Sequence, residues 1–276
     1  MSQRRWIPVY ALAWAIALAH CVHGDPPPTA PQAAPQPGKI ATFSIVAIDP
    51  ATGVCGAAVA SKYPAVGRVV PFVKAGVGAF CTQHNHNPAF GNRALELLTA
   101  DKSPQEVLET LLRDDDGAGG RQLAVIDRHG RTAQHNPIAA RAGSNWWGAL
   151  SGRFYACQGN TLVGPQVLTE MAAAYEHTDG TLADRLLAAL VAGDCAGGDH
   201  RGRLAAGIIV AKPEVEGHWL ELQVDNSDDA VIELAQKYVE LEHEAKGAWP
   251  TGNPPWKHPC EGRVKPKAPD DNSAKE

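Results

Sequence analysis

The chain has 276 residues, 44% of them hydrophobic, and a formal net charge of −5. An acid excess argues against nucleic acid as a partner, because phosphate-binding surfaces carry a basic excess. The hydrophobic share suits a folded domain, and no segment beyond the first residues has the apolar length of a membrane span.

In chain order, residues 1–24 read as an export leader. Arg4 and Arg5 precede the apolar run Trp6–Ala19, and Ala17-Leu18-Ala19 fits a small-x-small cleavage site, with a second possible cut after Val22-His23-Gly24. Export places the protein in a periplasm or outside the cell. His20 before Cys21 argues against a lipid anchor there. Residues 25–41 form a Pro-rich linker carrying Pro26, Pro27, Pro28, Pro31, Pro35 and Pro37. Residues 247–276, rich in Pro and charge, read as a disordered tail. Its Trp249 and Trp256 fit packing on the domain or exposure equally well.

The span 42–246 between them suits one domain. Phe43-Ser44-Ile45-Val46-Ala47-Ile48 predicts a strand buried on both faces. Asp49-Pro50-Ala51-Thr52-Gly53 predicts a turn, and Val54–Ala60 a second strand closing a hairpin. Val69–Val73 and Val77–Thr82 predict two more. Asn87-Pro88 opens a helix to about Thr99. Ser103-Pro104-Gln105-Glu106 combines an N-cap, a first-turn Pro and a capping-box Glu, so a second helix starts there. Strands return at Gln122–Asp127, Thr132–Gln134 and Phe154–Gln158. Helices follow at Pro165–His177 and Leu182–Ala192, the latter with Thr181 as N-cap and Asp184 at the third position, then strands at Leu204–Val210 and Trp219–Val224, and a helix at Asp228–Glu244. Such segregated runs predict an α+β layered domain, and two stacked sheets with helices outside would explain strands apolar on both faces.

The words TFSIVAIDPATG, VASKYPAVG, AGVGAFCTQ, NPAFG, QGNTLVGPQV and GGDHRGRLAA occur in this order. Together they resemble the bacterial and archaeal family called domain of unknown function 1028, from about Thr42 to Leu234. That family resembles the N-terminal nucleophile (Ntn) hydrolases, which implies a four-layer αββα sandwich of two antiparallel sheets between helical layers. It also implies hydrolysis of amide bonds. Family members commonly begin Met-Thr-Phe-Ser, so removal of Met frees the threonine. Here a leader and a linker precede Thr42, and Lys39-Ile40-Ala41 is a poor signal-cleavage site, so a free Thr42 needs a second cut.

The resemblance makes Thr42 the candidate nucleophile, its own α-amine serving as base. Without it, Thr42 is an ordinary strand-initial residue. Asn160, in the turn Gln158-Gly159-Asn160, is the candidate oxyanion donor, with Gly159 allowing close backbone approach; the alternative is a plain turn. Lys62 would lower the pKa of hydroxyl and amine, or is simply solvated. Ser44 shares a face with Thr42 and could relay a proton. Asp199 would orient the amine and Arg201 grip a substrate carboxylate, or the two form a local ion pair. Gln83 is a candidate pocket wall. His84-Asn85-His86, with His135 and His200, is too weak a pattern for a metal site, and no cofactor is expected. Neither Ser61 nor Ser151 has the context of a catalytic triad.

Cys157 precedes one candidate loop and Cys195 the other, so a Cys157–Cys195 disulfide would clamp a shared pocket, leaving Cys55–Cys81 as the second pair. Free buried thiols are the alternative. The expected partner is a small-molecule or peptide substrate, and a homo-oligomer is compatible. The leading expectation is an exported Thr-dependent amidohydrolase. The alternative is a non-catalytic envelope module on the same fold, binding peptidoglycan fragments or peptides.

Overall fold

Asp49 ends the first long strand because the following Pro-Ala-Thr-Gly turns the chain: its carboxylate accepts from Ala51 N and Thr52 Oγ1, and Gly53, at φ +73°, closes the turn onto Asp49 O at 2.8 Å. The computed structural model describes residues 39–40, 42–138 and 145–244. The expected leader, most of the linker and the tail lie outside them. After a two-residue strand β1 (Lys39–Ile40), the hairpin consists of β2 (Thr42–Asp49) and β3 (Val54–Ser61). A 3₁₀ turn at Val66–Arg68 leads to β4 (Pro71–Lys74) and β5 (Gly78–Asn85).

Helices α1 (Ala89–Thr99) and α2 (Pro104–Leu112) follow, α2 carrying the expected capping box. The Ser103 N–H and hydroxyl hold the Glu106 carboxyl down to about 2. Next come β6 (Arg121–Asp127), β7 (Thr132–His135), β8 (Trp146–Gly152) and β9 (Tyr155–Leu162), then α3 (Gln166–His177) and α4 (Leu182–Cys195). Thr181 and Asp184 form a second capping box at the start of α4. Strands β10 (Ala205–Ala211) and β11 (Leu220–Val224) and helix α5 (Ala230–Glu244) complete the described chain.

All pairings are antiparallel. One sheet runs β11-β10-β3-β2-β9-β8; the other runs β1-β5-β6-β7, with β4 also on β5. The molecule is thus a mixed α+β fold with two antiparallel sheets and, among the described residues, five α-helices. Strand alternation divides each sheet into two environments. On β2, Phe43, Ile45 and Ala47 join Leu168, Met171, Leu186 and Leu190 of α3 and α4. Val46 and Ile48 join Val59, Ala79, Ala124 and Ile126, a cluster drawn from both sheets. The opposite face of β5 and β6, with Phe80, Leu123 and Val125, packs on Leu98, Val107, Leu108 and Leu111 of α1 and α2.

Three strand expectations need correction. QGN is not a turn after a short strand: β9 continues through it to Leu162, buried throughout. Strand β8 pairs along β9, and Lys39–Ile40 is a strand rather than pure linker.

The cysteine pairings also fail. Cys55, Cys81 and Cys157 are free and buried. Cys157 faces the helices, whereas Cys55 and Cys81 lie between the sheets at different levels. Cys55 is level with Ile48, and Cys81 lies near Ser44. Four residues along β2 is roughly 13 Å, too far for one disulfide. Cys195 is disulfide-bonded, but to none of these three.

Burial pushes the Cys55 thiol up to about 11 and the Cys81 thiol up to about 12, and raises Cys157 as well. Alkylation at pH 8 followed by peptide mapping should therefore leave these three unlabelled in the native protein and label them in denaturant. A thiol that keeps its proton when folded and loses it when unfolded supplies stability below the unfolded value near 9. Stability should consequently fall as pH climbs from 9 toward 11–12, as denaturant titrations at successive pH values would record.

Candidate active site

The layer between the sheets changes character along β2. Its Val46–Ile48 end is apolar. At the other end the inward positions are Thr42 and Ser44 on β2, Ser61 on β3, Gln83 on β5, Gln122 on β6, and Gln158 and Asn160 on β9. All seven are buried, and Thr42, Ser44, Gln83, Gln122, Gln158 and Asn160 have no solvent exposure.

Antiparallel register brings them together. Thr42 lies opposite Ser61 on one side and Asn160 on the other. Ser44 lies opposite Gln158, and Gln83 opposite Gln122. Thr42 Oγ1 donates to Ser61 Oγ at 3.1 Å, and Ser61 Oγ also accepts from Tyr63 N at 2.9 Å. Ser44 Oγ donates to Gln83 Oε1 at 2.7 Å, while Gln83 Nε2 reaches Thr42 O at 3.3 Å and Gln122 Oε1 at 2.8 Å. Asn160 Nδ2 donates to the same Gln122 Oε1 at 2.8 Å, and Asn160 Oδ1 accepts from Thr161 Oγ1 at 3.0 Å. Gln122 Nε2 is shared among Gly159 O, Asn136 Oδ1 and Gly148 O at 2.9, 2.9 and 3.2 Å. Every bond in this set joins neutral groups.

Two local features fix the strand that carries Asn160. A Cβ on Gly159 would stand 2.5 Å from the Leu162 side chain, so glycine keeps β9 close-packed beside Asn160. Thr161 has φ +56°, a costly conformation for a β-branched residue. It is held there by its bond to Asn160 and by its carbonyl, which accepts from His200 N at 3.0 Å. Gln158 Oε1 is buried without a hydrogen-bond partner.

Of the residues expected at the site, Thr42, Ser44, Gln83, Gly159 and Asn160 therefore converge. Lys62, Asp199 and Arg201 form an adjoining cluster. The 198–200 loop pairs with the end of β9 through Val163 N to Gly198 O and His200 N to Thr161 O. Asp199 is buried and takes two guanidinium bonds from Arg201, at 3.0 and 2.7 Å, plus Lys62 N at 3.4 Å. The Lys62 ammonium donates to Arg203 O at 3.1 Å and stands 3.7 Å from Asp228. These charges are spent on holding the loop against the strand ends. His84 Nδ1 meets Gly120 O and His135 Nε2 meets Ala118 O, so both rings brace one turn.

Sequence reasoning missed Ser61, Gln122 and Gln158 as members of the network. A signal existed for Ser61, the hairpin register with Thr42, and for Gln122, which shares a strand face with Ala124 and Ile126.

Comparison with known proteins covers most of this region. The model described as "Family of unknown function (DUF1028)" matches residues 42–234. The crystal structure of protein SPO2555 from Silicibacter pomeroyi, described with the same family, is similar at 29% identity and a TM-score of 0.66, covering 72% of this chain and 88% of that one. Anbu (ancestral beta-subunit) from Yersinia bercovieri aligns at 12% identity with a TM-score of 0.35, covering 77% of this chain and 100% of that one. No curated protein matches the chain.

Replacing Gln122 with Leu would strip partners from Gln83, Asn160, Gly159 and Asn136 at once. Leaving buried amide groups unpaired should cost about 2–5 kcal/mol, measured by chemical denaturation, against less than about 1 kcal/mol for an exposed control such as Gln105→Leu.

Proposed function

The chain belongs to DUF1028, a family of unknown function, and from that premise we propose that it is an exported amidohydrolase of the N-terminal nucleophile type, with Thr42 as nucleophile once the chain is cut before it. The proposal includes the four-layer sandwich of that superfamily, with α3, α4 and α5 outside one sheet and α1 and α2 outside the other.

One observation carries the reading. The Thr42 hydroxyl is buried at the polar end of the inter-sheet layer, bonded to Ser61 and directly opposite Asn160. The chemistry of its surroundings supports it. The partners described around Thr42 and Asn160 are neutral hydroxyl and amide groups, which are poor bases for the hydroxyl. A free α-amine on Thr42, with a reference pKa near 7.7–8.0, would supply that base where it is needed. Thr42 Oγ then attacks the amide carbon while its proton passes to the α-amine. The C–N bond breaks, the proton leaves with the departing amine, and water hydrolyses the acyl-threonine ester. Asn160 Nδ2 donates one N–H to Gln122, and its second N–H has no partner among the described residues. That N–H is the oxyanion donor in this scheme. Ser44 and Gln83 hold the Thr42 carbonyl end of the strand.

A second reading, a non-catalytic envelope module binding peptides or peptidoglycan fragments, is favoured by one fact: Lys39–Ile40 is paired as a strand on the tip of β5. The mature amino terminus decides between them. Sequencing of protein recovered from its native compartment should read Thr-Phe-Ser. Thr42→Ala should lower hydrolysis of an amide-substrate panel by about 10³-fold or more with little change in Tm. Hydrolysis by a chain that still begins at Asp25, or by Thr42→Ala, would remove Thr42 from its role.

A further inference from the structure

The strand that carries Gln83 has a divided outer edge. On one side β5 pairs with β6 as far as His84. On the other, β4 covers Gly78 to Cys81, and Thr82 N continues that contact to Val70 O at 3.1 Å. The remaining tip, His84 and Asn85, is taken by Ile40 and Lys39 as the antiparallel strand β1. Two residues further on, the chain has passed into the other sheet as Thr42. The last residues before the nucleophile therefore lie as an added strand on a sheet edge, and the carbonyl that follows them is the one bonded to Thr42 N.

The receiving edge is held by side-chain hydrogen bonds. The His84 ring is held at Gly120 O (2.8 Å), with its backbone at φ +63°. Arg121 donates to Asn85 O, and its guanidinium is fixed by two 2.7 Å bonds to Asp115. The occupying strand, by contrast, is two residues long. A short strand on a pre-organised edge opens easily, and the edge it leaves accepts another extended backbone with little reorganisation.

We propose that Lys39-Ile40 is a tethered surrogate for the substrate, and that after the chain is cut the β5 tip binds the acyl side of an extended peptide as an antiparallel strand. This rests on Thr42 being the nucleophile, and it names the substrate class. A peptide running in the same direction, with two residues on His84 and Asn85, carries its next carbonyl toward Thr42, which follows Ile40 by two residues in the chain. The preferred substrates are peptides with at least two residues before the one that supplies the scissile carbonyl, rather than small amides or acylated single amino acids. The same contact makes the uncut or freshly cut chain its own inhibitor.

The test uses the full chain carrying Thr42→Ala, so that no cut alters it, with and without Ile40→Pro. Proline has no N–H and cannot pair normally on an edge. Amide hydrogen exchange over Gln83–Asn85 should quicken by about tenfold or more in the Ile40→Pro chain, while β2 and β3 keep their protection. Acetyl-Gly-Lys-Ile-Ala-amide should restore the slow exchange in that chain and bind at least about tenfold more weakly to the chain with Ile40 intact. Lys39→Pro serves the same purpose if Ile40→Pro does not fold. Unchanged exchange in the proline chains, or no restoration by millimolar peptide, would overturn the proposal. Because these readouts need no catalysis, restored protection supports the strand site even where the Thr42 chain proves inactive, which would sink the nucleophile alone.

Discussion

One primary amide governs the polar half of this molecule. Gln122 accepts from Gln83 and Asn160 through one oxygen and donates to Gly159, Asn136 and Gly148 through one nitrogen. Its partners come from both sheets, so the spacing of the sheets at that end is set by hydrogen-bond length rather than by side-chain volume. In so deeply buried a layer such bonds are individually strong and collectively unforgiving, because each lost partner leaves a buried polar group unpaired. The apolar end tolerates exchanges of similar volume. The polar end requires this set of donors and acceptors.

That requirement explains why the strands at the site depart from ideal geometry. Thr161 takes a left-handed conformation to reach Asn160, and His84 takes one beside a turn that its own ring supports. Both lie at strand ends where the network meets irregular backbone. Outside this layer Asp199 binds Arg201 within its own loop and the Lys62 N–H just past the end of β3. Neutral groups fill the interior, and ions clamp its rim.

Much of the fold is legible in the sequence because alternation and capping are local. Phe43–Ile48 announces a doubly buried strand, and Ser103 and Thr181 announce two helix starts that form as written. The site is half legible. Thr42, Ser44 and Asn160 stand out through the family resemblance, yet Gln158-Gly159-Asn160 looks like a turn because Gly and Asn usually break strands. Only stacking of the second sheet makes an inward Gln and Asn acceptable there. Gln122 was invisible for the same reason: one Gln in a strand looks like a surface residue until its opposite face is known to be covered. The disulfide expectation failed because loop proximity in sequence says nothing about which face of a strand a cysteine occupies.

Strand alternation has a consequence for how such a protein could be matured. Thr42 faces the inter-sheet layer, and Phe43, one residue later, faces the helices. A terminus displaced by a single residue toward Phe43 would remove the hydroxyl and leave the new amine on a residue pointing at the wrong core. Displaced the other way, it would put a peptide bond between the amine and the hydroxyl it serves in the proposed mechanism. Under that mechanism the fold allows no error of even one residue in the trimming: a ragged end would be an inert end, and the accuracy of the cut would become part of the catalyst.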